Sequence, residues 1–279
     1  MTMAWRAGWS RGMIELRQSF TNAADLFNHF FWPVVMLVTL FFMRGSTFGQ
    51  TGLGLATLAM PSILGMNAAM AMTMMSQHLT ADREDGTLLR AKATPDGMTG
   101  YLVGKIISVS LGLVADLTLL LVPGLLLVPG LRIGDLASWL TLAWVLALGL
   151  VATLPLGAVL GSVFASVRSQ GLLTLPVLGL IAISGIFYPI TALPQWLQWI
   201  AQTFPMYWLG LGMRSALLPA DAVAIEVGQS WRHLETIAVL GTWAVIGLLL
   251  APVVLRRMAR RESGSRVAER REKALQRIG

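Results

Sequence analysis

The chain has 279 residues, of which 55% are hydrophobic and only 13% charged, with a mean hydropathy of +0.68 and a net charge of +7. A soluble domain carries about 25% charged residues, so this is the composition of an integral membrane protein, and a disordered chain is excluded. The absence of cysteine removes disulfide scaffolds and thiolate metal sites, and the three histidines, at 29, 78 and 233, are too far apart to form a local metal motif.

Residues 1–25 mix apolar side chains with Arg6, Arg11 and Arg17 and contain no signal peptide pattern. Trp5, Trp9, Ile14, Leu16 and Phe20 predict an interfacial helix with its arginines toward lipid headgroups. A membrane crossing needs ~20 apolar residues. Five such runs follow, at about Leu26–Met43, Leu53–Gln77, Ile106–Leu131, between Asp135 and Arg168, and Thr236–Leu255. A sixth begins at Gly171, inside a run of 45 residues without formal charge, Ser169 to Met213. As one helix that run would reach roughly 68 Å, enough for two crossings. Charge decides between one and two. One crossing leaves seventeen basic residues on one side and four on the other, as the positive-inside rule requires.

The expected fold is therefore an all-α integral membrane protein with six transmembrane helices in residues 26–255 and both termini cytoplasmic. Tyr188-Pro189 and Pro194 break the fifth span, and Trp196 to Trp208 form re-entrant helices within an outer region, 188–213. The tail, 256–279, holds nine basic and three acidic residues, which suits anionic lipid rather than nucleic acid.

The segment with most chemistry is Thr80–Gly97, inside a cytoplasmic loop at 79–100. It carries four acids and three bases in a chain that otherwise avoids charge. Gly86 can end or bend a helix, Thr87 can start the next turn, and Pro95-Asp96-Gly97 is a turn signal. Asp82-x-x-Asp85-Gly86-x-x-Leu89-Arg90 resembles the first half of the CDP-alcohol phosphatidyltransferase motif, which would make Asp82 and Asp85 metal ligands. The second half, G-x-x-x-D-x-x-x-D, has no counterpart, because Gly104 and Ser108 fall where the aspartates belong.

The same loop, Asp82-Arg83-Glu84-Asp85-Gly86-Thr87-Leu88-Leu89-Arg90 with Ala93-Thr94-Pro95, resembles the E-R-E-x-G-T-L-E-x-L…T-P signature of type-2 ABC exporter permeases. It departs from it at Asp82, where the first Glu belongs, and at Leu89, where a second Glu is common. Gly185-Ile186-Phe187-Tyr188-Pro189, Leu193-Pro194-x-Trp196-Leu197 and Phe204-Pro205-Met206-Tyr207-Trp208 are similar to the outer region of that family, most closely its daunorubicin-resistance-like branch.

The resemblance implies a bacterial plasma-membrane permease without catalytic residues. It would pair with a second permease, identical or homologous, and with P-loop ATPase subunits that bind ATP and Mg, and would export a drug, antibiotic or lipid. Arg83, Glu84, Asp85, Gly86, Thr87, Leu88 and Arg90 would couple to the ATPase. Tyr188, Pro189, Trp196, Trp199 and Tyr207 would form an outer gate. The chain itself has no G-x-x-x-x-G-K-[ST] phosphate loop.

Within the spans, Asn67, Met70 and Met74 are candidates for the substrate path, since thioethers adapt to varied apolar surfaces. Asp116 is a costly charge at span depth. It reads either as a proton or cation site, as in an ion-coupled carrier, or as a carboxyl bonded to Ser or Thr of a neighbouring helix.

Overall fold

A computed structural model describes residues 3–47, 52–94, 97–163 and 167–261. Among them the chain forms α1 (Met3–Ser19), α2 (Ala23–Met43), α3 (Leu55–Glu84), α4 (Thr87–Lys92), α5 (Gly97–Leu127), α6 (Leu136–Val163), α7 (Val167–Ile183), α8 (Gln195–Thr203), α9 (Pro205–Leu217) and α10 (His233–Arg261). Local chemistry sets several ends. Asn22 accepts a 3.0 Å hydrogen bond from the Ala24 amide and starts α2. Pro205 opens α9, where its missing N–H costs nothing.

Five helices, α2, α3, α5, α6 and α10, are long and apolar enough to cross a membrane. α7, where a sixth crossing was expected, has 17 residues, or roughly 26 Å. Gly185 at φ +66° turns the chain just past its end. α3 departs in the other direction, continuing past Gln77 to Glu84, and α10 runs past Leu255 to Arg261. Helix needs no apolar residues to propagate, so polar turns extend both beyond the apolar run. The remaining tail, 262–279, and the Pro95-Asp96 turn lie outside the described residues.

Side-chain register gives each helix a direction. α5 runs against α3, since Thr57 donates to the Pro129 carbonyl at one end, while Asp82 meets Tyr101 and Lys105 at the other. α2 runs with α5, pairing His29 with Asp116 and bringing Leu37 to Gly124. α6 runs with α3, Gly157 lying on Met72 and Gly161 on Ser76. α10 runs with α6, His233 packing edge-on to Trp144 and Gly247 sitting over Pro155. α7 leads into Ile186–Tyr188, which meet Leu55, Leu58 and Ala59 at the start of α3. With α7 included, α2, α3, α5, α6, α7 and α10 thus alternate in direction along the chain. α10 packs against α4 and α1 against the start of α5, so the first and last described helices share the α4 end of the bundle.

α3 is the central helix, with α5, α6, α7 and α9 packed around it. All 13 residues of α9 are buried. They fit because glycine lies where backbones meet: a Cβ on Gly65 would sit 3.0 Å from the Gly210 Cα, and one on Gly212 2.6 Å from Val145. α8 and α9 are joined through Phe204 alone and form a hairpin folded into the bundle. Its turn reaches the level of Trp243, roughly 15 Å along α10 from His233. Two indoles satisfy the broken backbone there, Trp243 donating to the Thr203 carbonyl at 2.8 Å and Trp208 to that of Gln202 at 2.7 Å.

Candidate functional site: the α3–α4 loop and the α8–α9 hairpin

α3 ends in the charged loop. Asp85 caps it, and Gly86 takes φ +82°, a left-handed conformation that a Cβ would disfavour. The Asp85 carboxylate then accepts from the Thr87 amide at 2.7 Å and starts α4. Leu88 and Ala91 turn into the bundle and are buried, while Asp85 and Arg90 stay exposed, with Arg90 donating to the Thr87 hydroxyl at 2.9 Å. Glu84 is half-buried. Arg83 is buried, with one guanidinium nitrogen 3.4 Å from the Ser162 carbonyl near the end of α6. The loop is thus a short amphipathic helix on a left-handed glycine, its apolar side packed down and its polar side outward.

Next to it lies a charge cluster that hydropathy reading missed. Lys105, directly before the apolar run that starts at Ile106, lies inside α5 and is 5% exposed. Its ammonium sits 2.8 Å from Asp82 Oδ2 on α3 and 2.9 Å from Glu15 Oε2 on α1. Tyr101 donates to Asp82 at 2.7 Å, Ser108 to Glu15 at 3.1 Å, and Arg11 to Glu15 at 2.9 Å. Burial works to raise the Glu15 pKa, but the charge and hydrogen bond of Lys105, helped by Arg11, outweigh it and hold the carboxyl below its ordinary 4.5. The signal in the sequence was Gly8-x-x-x-Gly12 opposite Gly100-x-x-x-Gly104. A Cβ on Gly12 would lie 2.7 Å from the Gly104 carbonyl. α1 therefore docks on α5 through glycines and leaves Trp5, Trp9 and Ile14 exposed.

This arrangement does not favour metal ligation by Asp82 and Asp85, because Asp82 is held by Lys105 and Tyr101 while Asp85 caps α4.

Asp116 is bonded not to a serine or threonine but to His29 of α2. The His29 ring in turn stacks on Phe20 at 4.4 Å. Asn67 donates to the Ile63 carbonyl at 2.8 Å within α3, and Met70 and Met74 are half-buried on the same helix.

At the opposite end, the expected gate residues divide. Trp196 and Trp199 lie on the exposed face of α8, at 59% and 65%. Tyr207 is fully buried on α9, Tyr188 donates to the Ala182 carbonyl, and Pro189 precedes a short 3-10 turn. Between them is Arg214, one of the four basic residues on the sparsely charged side. It is 4% exposed, pairs with Glu226 at 2.6 Å, and donates to the carbonyls of Gly185 and Ile186 at 3.0 and 3.2 Å. The pair forms one wall of a cavity of about 220 Å³ otherwise lined mainly by apolar residues, among them Met43, Leu58, Ile186 and Phe187.

The chain is a helical bundle with a charged loop helix at one end and a helical hairpin folded in at the other. Residues 13–218 match the ABC-2 type transporter family model, and the chain belongs to that family. It is a permease subunit of an ABC transporter, a kind of subunit that generally lacks its own ATPase site and works with an ATPase partner. No curated protein gave a match to the chain.

Proposed function

We propose that the chain is the permease of an ATP-driven exporter that moves a hydrophobic or amphipathic compound, such as a drug, antibiotic or lipid, out across a bacterial plasma membrane. The observation that carries this reading is the family match over residues 13–218 together with the α3–α4 loop, whose apolar side is anchored and whose polar side faces outward. The outward face, with Glu84, Asp85 and Arg90, is the surface offered to a P-loop ATPase, which binds ATP and Mg. Arg83 and Leu88 hold that surface to the bundle. Closure of two ATPases around nucleotide then moves α4 as a rigid body.

In this reading α2, α3, α5, α6, α7 and α10 make six crossings, the α4 end is cytoplasmic, α1 lies at the inner interface, and α8–α9 form a re-entrant outer gate. A second permease, identical or homologous, completes the pathway. Asn67, Met70, Met74 and Asp116 are the residues proposed to meet substrate, with lipid around the exposed helix faces. The aromatic face of α2, including Phe27, Phe31, Trp32 and Phe42, is exposed and suits lipid or that second subunit.

The test is purification of the tagged chain from its native host in mild detergent, with mass spectrometry and an ATP hydrolysis assay. A stoichiometric P-loop ATPase that hydrolyses ATP in the complex is the expected result. Release of CMP from a CDP-lipid by an ATPase-free preparation would overturn it.

A further inference from the structure

Lys105 joins three helices that no backbone hydrogen bond connects. A lysine ammonium carries three donors on a compact charge, and here it reaches one carboxylate on α1 and one on α3 from a buried position on α5. Arg11, Glu15, Asp82 and Lys105 together are neutral, two charges of each sign, so the cluster does not attract a charged ligand. It binds helices instead. Asp82 is in the last turn of α3, directly before Arg83, Glu84 and the Gly86 turn into α4. Glu15 is in the last half of α1, and α1 leads through Asn22 into α2, whose outer end at Met43 lines the cavity beside Arg214. The Gly8–Gly100 and Gly12–Gly104 approaches place α1 close enough for Glu15 to reach Lys105.

We propose that Lys105 is a positioning residue for coupling: by holding Glu15 and Asp82 at once, it makes α1 and the first half of α5 move with the α3–α4 loop, so that displacement of the loop is delivered to α2. The role rests on the transport reading above. Lys105 touches neither ATPase nor substrate and acts through Asp82. Without its charge, Glu15 and Asp82 face each other as two carboxylates, and α1 is pushed off the loop rather than carried with it.

The chain has no cysteine, so introduced cysteines give unambiguous labels for distance measurement. One pair is Met13→Cys with Leu136→Cys, linking α1 to the far end of the bundle. The other is Ala93→Cys with Leu136→Cys, linking the end of α4 to the same point. All three side chains are exposed in the folded chain. Distances are read in the reconstituted complex with its ATPase, nucleotide-free and vanadate-trapped. In the wild type both pairs are expected to shift. In Lys105→Met the 93/136 distance still shifts, the 13/136 shift is lost, and transport per ATP hydrolysed falls several-fold. Lys105→Arg restores both.

An unchanged 13/136 shift in Lys105→Met overturns the role, as does a wild type in which the ATPase turns over while α1 stays still. If Lys105→Met does not fold, Glu15→Gln keeps the Lys105–Asp82 pair and gives the same readout. Loss of the α1 shift then supports the role, and its retention overturns it. If no ATPase associates with the wild type, the transport reading itself falls and takes this role with it, a result distinguishable from an assembled complex with an unresponsive α1.

Discussion

Arg214 and Glu226 form a two-point ion pair, Nε to Oε1 at 2.6 Å and Nη2 to Oε2 at 3.3 Å, with both side chains almost entirely removed from solvent. The same guanidinium holds the Gly185 and Ile186 carbonyls, so one side chain ties α9 to the turn after α7 and to the 3-10 segment Ala220–Ile225 that leads to Glu226. A buried pair of this kind adds little over a well-packed apolar one, but losing one member strands the other. Glu226→Gln is therefore expected to cost about 3–5 kcal/mol, read as a lowered melting temperature in detergent. Arg214→Met with Glu226→Leu should melt higher than Glu226→Gln alone. A double variant no more stable than the single one contradicts the stranded-charge account.

Helix packing along α3 makes a second prediction. A Cβ on Gly157 would lie 2.2 Å from the Met72 carbonyl oxygen, and backbone cannot yield as a flexible side chain would. Gly157→Val should destabilise the fold by roughly 1–3 kcal/mol or more. Gly134→Ala, where nothing lies within 4 Å, serves as the neutral control. Equal melting temperatures for the two variants would refute the close α3–α6 approach.

The lowered Glu15 pKa gives the docking of α1 a pH dependence. A carboxyl held below its unfolded value of 4.5 contributes stability above that pH and loses it as pH falls through the folded pKa. Amide exchange in α1 should therefore be slow and flat above about pH 5, after correction for the intrinsic rate, and rise as the medium is acidified below 4.5. In Glu15→Gln the exchange should already be fast at neutral pH and show no such acid step.

At the loop, Glu84→Arg is expected to leave the chain folded while separating ATP hydrolysis from transport in the assembled complex. Undiminished transport by this variant counts against the loop as the ATPase contact. Leu88→Ala, which removes a buried anchor of α4, should cost about 2–5 kcal/mol locally and be visible as faster exchange across 87–92.

The His29–Asp116 pair separates ATP-driven from ion-driven transport. In an ATP-driven permease Asp116→Asn keeps a hydrogen-bonding partner for His29, so transport should weaken at the substrate contact but still require ATP. Transport that persists without ATP and is abolished by Asp116→Asn would favour a proton-coupled carrier.

Much of this was legible in the sequence, and for physical reasons. Apolar runs marked α2, α3, α5, α6 and α10 because a lipid-crossing helix must be apolar over its whole length, whatever its neighbours are. The density of charge at Thr80–Gly97 marked the α3–α4 loop, and Pro189, Pro194 and Pro205 marked the breaks around α8. The pairs within the bundle were not legible. Lys105 with Glu15, Arg214 with Glu226 and His29 with Asp116 join separate elements, and hydropathy counts a charge without saying what faces it. Lys105 directly precedes the apolar run that starts at Ile106, where a lysine looks like a boundary. The structure instead neutralises it in place, and α5 simply continues. For α7, where lack of charge suggested a sixth span, the described helix has 17 residues and ends before the Gly185 bend.

The central position of α3 has a consequence for how the chain is made. α3 is the most enclosed of the five long apolar helices and also the least hydropathic. Its small residues and hydroxyls, Ser62, Thr73, Ser76 and Thr80 among them, are buried against protein and have little to gain from lipid. A helix of this kind leaves the translocon reluctantly on its own. Its stable insertion waits for α5 and α6, the partners that follow it in synthesis, and for α9, which comes last. Truncation before residue 205 should therefore leave α3 exposed to the membrane proteases that clear orphaned spans, and the half-made chain should be short-lived even though its apolar segments are already long enough to cross.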